Sequence, residues 1–314
     1  MPNLLEYTEI WTKALDQQVT QQATSGWMES NAGQVQYTGG KYVKVPTLSM
    51  TGLGNYQRGT GSANRGKYAQ GTVELGYETY ELTQDRSAEF AFDRMDVDET
   101  GFIITAPAVM GEFQRDHVIP EIDSFRYSRI YKIIDDAGLV KEATLAKNNI
   151  LDTFLLQVRE MQDKTGLDTG GLIATMPFPV YSLLERSAEV QKQISVQQFA
   201  QGGVNFEVKS INGIPLIPVM SERFYSEYDF YAGPATLGFA PKSSATLMNW
   251  IICPRSKPIA LAKTDNLKVF TPDTNQNGDD WLMQYRKYHD LWIMKNQTNQ
   301  FIVCVPETPV TPEP

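Results

Sequence analysis

Two histidines and two cysteines are all that this 314-residue chain holds of the side chains that most often bind transition metals or serve as base and nucleophile. His117 and His289 fall in different expected elements, with no nucleophile or paired ligand at a recognisable spacing, which excludes the common triads and zinc sets. Cys253 in NWIICP and Cys304 in FIVCV sit in apolar β-like runs and read as buried, reduced thiols. Long apolar runs are missing too. Nothing approaches eighteen consecutive apolar residues, and the start MPNLLEYTEIWTKALDQQ has no basic segment followed by an apolar one, so neither a membrane span nor a secretory signal is expected. Without secretion the sequon Asn296-Gln297-Thr298 carries no weight. An excess of base is also absent: 37 acidic residues face 28 basic ones and the pI is near 4.9. Phosphate contacts are made chiefly by clustered Lys and Arg, so any DNA this chain meets is enclosed rather than gripped. There is no internal repeat and no alternation of strand and helix, which leaves the α+β class, and the length favours two domains.

What the chain does have is a sixty-residue stretch, Gly33 to Phe92, with β patterning, ten glycines and no core of its own. Val35, Tyr37, Tyr42, Val43 and Val45 alternate on one limb, and Val73, Leu75, Tyr77, Phe90 and Phe92 on the other. Gly52 to Gly71 between them is polar. The pattern predicts a long two-stranded hairpin. Such a ribbon is marginal alone and its glycines add backbone entropy, so it must rest on neighbouring subunits. Cleavage near Arg58, Arg65 or Lys67 is expected to slow on assembly.

Before it, Leu4, Tyr7, Trp11, Leu15 and Val19 mark one stripe of a short helix in a polar N-terminal arm. After it, a helical pattern runs to about Ala137, with Val109, Phe113, Ile122, Phe125, Ile130 and Ile133 as its buried face and Gly138 as its stop. His117 falls on the apolar side and reads as a core residue. Pro120 lies inside the pattern, where its ring crowds the Asp116 carbonyl, so a bend or break is expected. Thr144 is placed to cap a second helix through Leu151, Phe154, Leu155, Val158 and Met161, ending at Thr165-Gly166. LIATMP reads as a buried strand, and Pro179 suits the first turn of the helix PVYSLLERSAEV. VNFEVKSI, Asn212-Gly213 and IPLIPV form a hairpin with a type I′ turn. The end is mostly β: LMNWIIC, LKVF, WLMQYRKY, DLWIMK and FIVCV. ETPVTPEP is too polar and proline-rich to pack and reads as a disordered tail.

Each chemical motif fails a test of context. Gly61 to Lys67 has P-loop spacing, but Tyr68 stands where a Ser or Thr must hold magnesium, and a strand follows instead of a helix. Asp273, Asn275, Asn277 and Gly278 copy the start of an EF-hand loop, yet Gln284 at the twelfth position gives no bidentate carboxylate; a polar turn is the reading, and calcium is not expected to be required. Asp96, Asp98 and Glu99 suit the free N–H groups at a helix start better than a metal. Tyr285, Arg286, Lys287 and Tyr288 read as two faces of one strand rather than a stacking platform for nucleic acid. No catalytic, cofactor or metal residue emerges.

VIPEIDSFRYSRI (Val118 to Ile130) resembles the spine-helix segment of tailed-phage major capsid proteins of the Hong Kong 97 fold. VKSINGIPLIPV (Val208 to Val219) resembles that family's A-domain strand pair, and RKYHDLWIMKNQTNQFIV its closing strands, in the same order along the chain. The resemblance implies an N-terminal arm (1–32), an extended loop (33–92), a peripheral domain with a spine helix (93–138), an axial domain (139–264), return strands (265–306) and the tail (307–314). It further implies a shell subunit that forms pentamers and hexamers of an icosahedral capsid around double-stranded DNA, assembled in the host cytoplasm, with portal and decoration proteins as partners. Some relatives join subunits through an extended-loop lysine, which makes Lys41 or Lys67 the candidates, although no acceptor asparagine or assisting glutamate matches. The runner-up is an encapsulin-type compartment shell; the reading from another class is a metal-dependent hydrolase using Asp96 and Asp98. About thirty residues before the arm would span only about 45 Å as a helix, so no fused scaffold is expected; either a separate scaffolding protein or a small shell whose curvature the subunit itself sets takes its place.

Overall fold

A computed structural model of the chain describes residues 23–34, 42–56, 68–69, 71–95, 106–166, 168–187, 194–201, 204–231, 237–276 and 278–312. They fall into two compact units, Gly33–Leu82 on its own and Met1–Ala32 together with Thr83–Pro314. The first unit holds β1 (Tyr42–Met50) and β2 (Val73–Glu81), an antiparallel pair with no third strand among the described residues.

The second unit runs β3 (Gln84–Asp93), α1 (Ala106–Phe113), α2 (Ile119–Asp136), β4 (Lys141–Glu142), α3 (Ile150–Thr165), β5 (Leu172–Pro177), α4 (Phe178–Glu185) and β6 (Ile194–Gln201). It continues with β7 (Val204–Ile211), β8 (Ile214–Val219), β9 (Tyr228–Phe230), β10 (Phe239–Pro241), β11 (Trp250–Pro254), β12 (Ile259–Phe270), β13 (Asp280–Trp292) and β14 (Ile302–Val305). A seven-stranded mixed sheet has the order β4-β14-β11-β5-β8-β7-β6, and a three-stranded antiparallel sheet the order β12-β13-β3.

Alternation along the central strands explains why they read as continuous apolar runs. Leu172, Ala174, Trp250, Ile252, Ile302 and Cys304 face α3 and α4, whose Phe154, Val158 and Leu184 cover them. Ile173, Ile217, Ile251, Cys253 and Val303 face the opposite way, onto Tyr127, Ile130 and Ile134 of α2 and onto Trp27 and Met28 of the 3-10 segment Gly26–Gln34. With both faces covered, no polar face survives in the sequence. Cys253 and Cys304 are both free and buried, and they point to opposite faces of neighbouring strands, which rules out a bond between them. A third cluster lies between the β12-β13-β3 sheet and the helical start: Leu267, Met283 and Tyr285 against Met110, Ile119 and Ile122. One helix, α2, therefore serves both sheets.

The segment before the arm is tied to α2 by buried polar groups. Asp123 accepts from Thr24 N (3.1 Å) and Thr24 Oγ1 (3.0 Å), and from Ser25 N (3.0 Å) and Ser25 Oγ (2.6 Å). Arg126 donates to the Ser25 carbonyl at 3.2 Å and to Glu29, and Tyr127 Oη donates to Thr24 Oγ1 at 3.0 Å.

Local signals held where the chemistry is local. Asn212 and Gly213 have φ of 52° and 81° at the β7–β8 turn, and LIATMP is buried throughout as β5. Gly138 (φ 66°) ends α2 with Leu139 N bonded to Ile134 O, and Gly166 (φ 64°) ends α3 with its N–H on Gln162 O.

Several expectations need correction. Phe90 and Phe92 are on β3, which pairs with β13 and not with β1, so the hairpin closes through Glu81. The irregularity near Pro120 is not a break: helical backbone continues from Ala106 to Asp136, with a π turn at Gln114–Val118 immediately before the first turn of α2, where Pro120 sits. The π turn inserts an extra residue and rotates the apolar stripe, which buries Val118 and leaves His117 exposed rather than in the core. Asn149, not Thr144, is the N-cap of α3; its Oδ1 accepts from Ala146 N at 2.7 Å and its amide donates to the Thr144 carbonyl at 3.0 Å. α4 stops at Glu185, five residues short of the expected end, and WLMQYRKY and the start of DLWIMK share one strand, β13, which ends at Trp292. The tail is engaged: Leu247 N donates to Val310 O at 2.9 Å, and Thr144 Oγ1 to Glu307 at 2.8 Å. A proline-rich segment lacks donors, but its carbonyls still accept.

Candidate assembly surface

The distal half of the arm carries a set of apolar residues that are exposed. Residues directly opposite in an antiparallel pair share a face, and the faces alternate along the strand. In the distal half, Pro46 faces Tyr77, Leu48 faces Leu75 and Met50 faces Val73, which puts three apolar pairs on one side. Leu48, Met50, Val73, Leu75 and Tyr77 are 57–67 % exposed. The reverse side of the same half is polar, with Thr47 opposite Gly76 and Ser49 opposite Glu74. A Cβ on Gly76 would stand 2.9 Å from Thr47 Oγ1, so the glycine permits that close pairing. In the proximal half the preference reverses: Val43 and Val45, on the face of Thr47 and Ser49, are buried.

Past the strands, Thr51 N donates to Thr72 O at 3.1 Å and Thr72 N to Thr51 Oγ1 at 2.9 Å. Tyr56 and Tyr68 meet edge to face at 5.2 Å, and Leu53 is fully exposed. A two-stranded ribbon with one bare apolar face is not a stable end state in water. Covering such a face stabilises by roughly 1.5–3 kcal/mol per large side chain. Sequence reading found the β2 half of this surface in the alternation of Val73, Leu75 and Tyr77; it missed Leu48 and Met50, which lie on the face opposite Val43 and Val45.

No protein-family model matches the sequence, and no curated protein does. Solved structures do match. The capsid structure of the cyanophage P-SCSP1u is 10 % identical with a TM-score of 0.57, over 86 % of this chain and 84 % of that one. The mature capsid of bacteriophage PhiM1 is 11 % identical with a TM-score of 0.56, over 84 % and 82 %. This chain has the fold of tailed-phage capsid proteins. The same fold extends to a virus-like particle from Pyrococcus furiosus, 10 % identical with a TM-score of 0.50, over 95 % of this chain and 99 % of that one.

Of the side chains singled out for chemistry, only some are described. Asp96, Asp98, Glu99, Lys41 and the Gly61 to Lys67 motif lie outside the described residues. Asp273 sits in the β12–β13 turn, closed by Thr271 N on Thr274 Oγ1 at 2.9 Å. Among the described residues no three His, Cys, Asp or Glu side chains gather into a metal-sized group, and no helix is long and apolar enough to cross a membrane. The Tyr285 to Tyr288 run does alternate: Tyr285 and Lys287 are buried, while Arg286 is exposed and held by Asp85 at 2.9 and 2.6 Å. Its charge is answered within the sheet.

His117 lies on the surface, 5.7 Å from the Phe113 ring, whereas His289 is buried against the edge of Phe125 at 5.2 Å. Burial, with the like charges of Arg126, Lys287 and Arg86, pushes the His289 imidazole well below its usual range. The fold therefore accepts only the neutral ring. Its contribution is complete above about pH 6.5 and is lost as the pH falls below that, by up to about 1.4 kcal/mol per unit. Urea midpoints between pH 7.5 and 5.5 should drop more steeply for the native chain than for His289→Gln. Equal slopes would remove this histidine as the cause.

Proposed function

We propose that this chain is a major capsid protein that assembles through its arm into pentamers and hexamers of an icosahedral shell, enclosing the double-stranded DNA of a tailed phage. The observation that carries the reading is the distal apolar face of the β1–β2 ribbon, three cross-strand pairs wide and bare in the single chain. A second copy covers it. The capsid fold supports this reading. In the shell, α2 serves as the spine and the seven-stranded sheet as the axial domain. The net charge of −9 fits a wall that encloses DNA without gripping it. A separate scaffolding protein, a portal and decoration proteins complete the partners, with assembly in the host cytoplasm and no enzymatic role.

The test is sedimentation and negative-stain microscopy of the purified chain. Obligate interfaces bury about 2,000 Å² or more, so capsomers or shells should persist on dilution. A compact 35 kDa monomer under all solvent and scaffold conditions would sink the reading. The likeness to the virus-like particle favours one alternative, a compartment shell. Uniform small closed particles that co-purify with a protein cargo, formed by this chain alone, would favour it over a phage capsid; mixed-size particles made uniform by a scaffold would favour the capsid.

A further inference from the structure

The arm, Gly33–Leu82, joins the rest of the chain at two points, and within two residues of each a buried polar side chain makes an anchoring contact. On the return side, Asp290 of β13 is fully buried, and its Oδ2 accepts from Thr83 N at 2.9 Å and from Thr83 Oγ1 at 2.7 Å. Its Oδ1 accepts from Leu291 N at 2.7 Å, with Arg129 Nε 3.7 Å away. On the outgoing side, Asn31 is buried and its Nδ2 donates to the carbonyls of Arg255 and Pro258, both at 2.8 Å. The two anchors converge on one end of the β12–β13 ladder. Pro258 immediately precedes β12, and Leu261 of β12 lies opposite Asp290, so the anchoring groups are three residues apart along the strand, about 10 Å.

A buried carboxylate is an expensive way to hold a strand. Its desolvation costs several kcal/mol, and a well-packed apolar residue in its place is often neutral or stabilising. Burial pushes the Asp290 carboxyl up, against the pull of Thr83 and Arg129. What the charge provides that an apolar residue cannot is direction, because both donors of one residue, Thr83, must point at one oxygen.

We propose that Asp290 and Asn31 are positioning residues for assembly: together they form a two-point mount that fixes where the arm leaves and rejoins the chain. The inference rests on the shell reading above. Docking an arm whose ends are already fixed loses less conformational entropy than docking one whose ends wander, and the copies then meet at one repeatable geometry.

The experiment uses the full chain with three substitutions. Thr83→Val keeps the shape and removes the Oγ1 donor; Thr83→Ser restores it. Ile173→Val, in the sheet core away from both anchors, is the control for a similar loss of stability. Thr83→Val should raise the concentration needed for particle formation about tenfold and broaden the size distribution, Thr83→Ser should behave as the native chain, and Ile173→Val should lower the urea midpoint without changing particle size. Should Thr83→Val fail to fold, Asn31→Leu takes its place with the same expected outcome. Native-like particles from the mount variant, or a change in Ile173→Val of the same kind, would overturn the mount while leaving the shell reading intact. Failure of the native chain to assemble at all would overturn both.

Discussion

Replacing Leu48 with lysine and Leu75 with glutamate should leave the subunit folded and abolish assembly. The two residues face each other at the centre of the distal apolar face, and both are exposed in the single chain. Exposed positions tolerate polar substitution, and an opposite-charge pair directly across two strands is itself stabilising by a few tenths of a kcal/mol, so the ribbon keeps its register. Docking changes the sign. Two apolar side chains worth roughly 1.5–3 kcal/mol each are lost from the contact, and two charges must be desolvated in their place. The combined penalty exceeds about 4 kcal/mol per contact, roughly a thousandfold in each association step, and a closed shell repeats that contact at every copy. Velocity sedimentation should show subunits at concentrations where the native chain forms particles, with an unchanged far-ultraviolet circular dichroism spectrum. Particles at the native concentration would show that this face stays bare in the shell.

Asp123→Ala should destabilise the subunit by about 3–5 kcal/mol. The carboxylate gathers two backbone N–H groups and two hydroxyls from Thr24 and Ser25, with the Arg223 guanidinium at 3.4 Å. Truncation strands those donors in a buried site and releases the segment that carries Trp27 and Met28 onto the sheet. Breaking a buried charged network from one side costs about 3–5 kcal/mol. Asp123→Asn, which keeps the shape but turns an amide toward the same donors, should fall between the native chain and the alanine variant. Urea unfolding of the unassembled subunit measures both, and a loss below about 1 kcal/mol for the alanine variant would show that water replaces the carboxylate without difficulty.

The two predictions draw on different kinds of information. Leu75 was legible because a two-residue period reports which side chains share a face, and Val73, Leu75 and Tyr77 show it plainly. Asp123 was not. In VIPEIDSFRYSRI it looks like any polar residue of an amphipathic helix, and its donors lie about a hundred residues earlier. Thr83, Asp290 and Asn31 were hidden for the same reason: each is an ordinary polar residue until a distant strand or turn is brought beside it.

His117 shows a subtler failure. Four-residue steps from Val109 through Phe113 lead to His117, and an ideal helix would bury all three; one π turn adds a residue and shifts the phase, a change that leaves no mark in the composition. Thr144 and Asn149 are both good caps, and only the path of the chain between β4 and α3 selects the second.

The sequence by itself determined the parts whose cause is local: the positive-φ turn at Asn212-Gly213, the glycine stops at Gly138 and Gly166, the buried strand LIATMP, and an arm with too little core to stand alone. Tertiary structure decided which strands pair and which faces are covered. Phe90 and Phe92 alternate identically whether their partner is β1 or β13, and only the apolar cluster beneath β3 selects β13. The same holds for the arm. Periodicity states that Leu48 and Leu75 could share a face, but whether that face meets a core or stands bare depends on what the rest of the chain brings against it, and hydrophobic attraction, which is non-directional, leaves no trace of its partner in the local pattern.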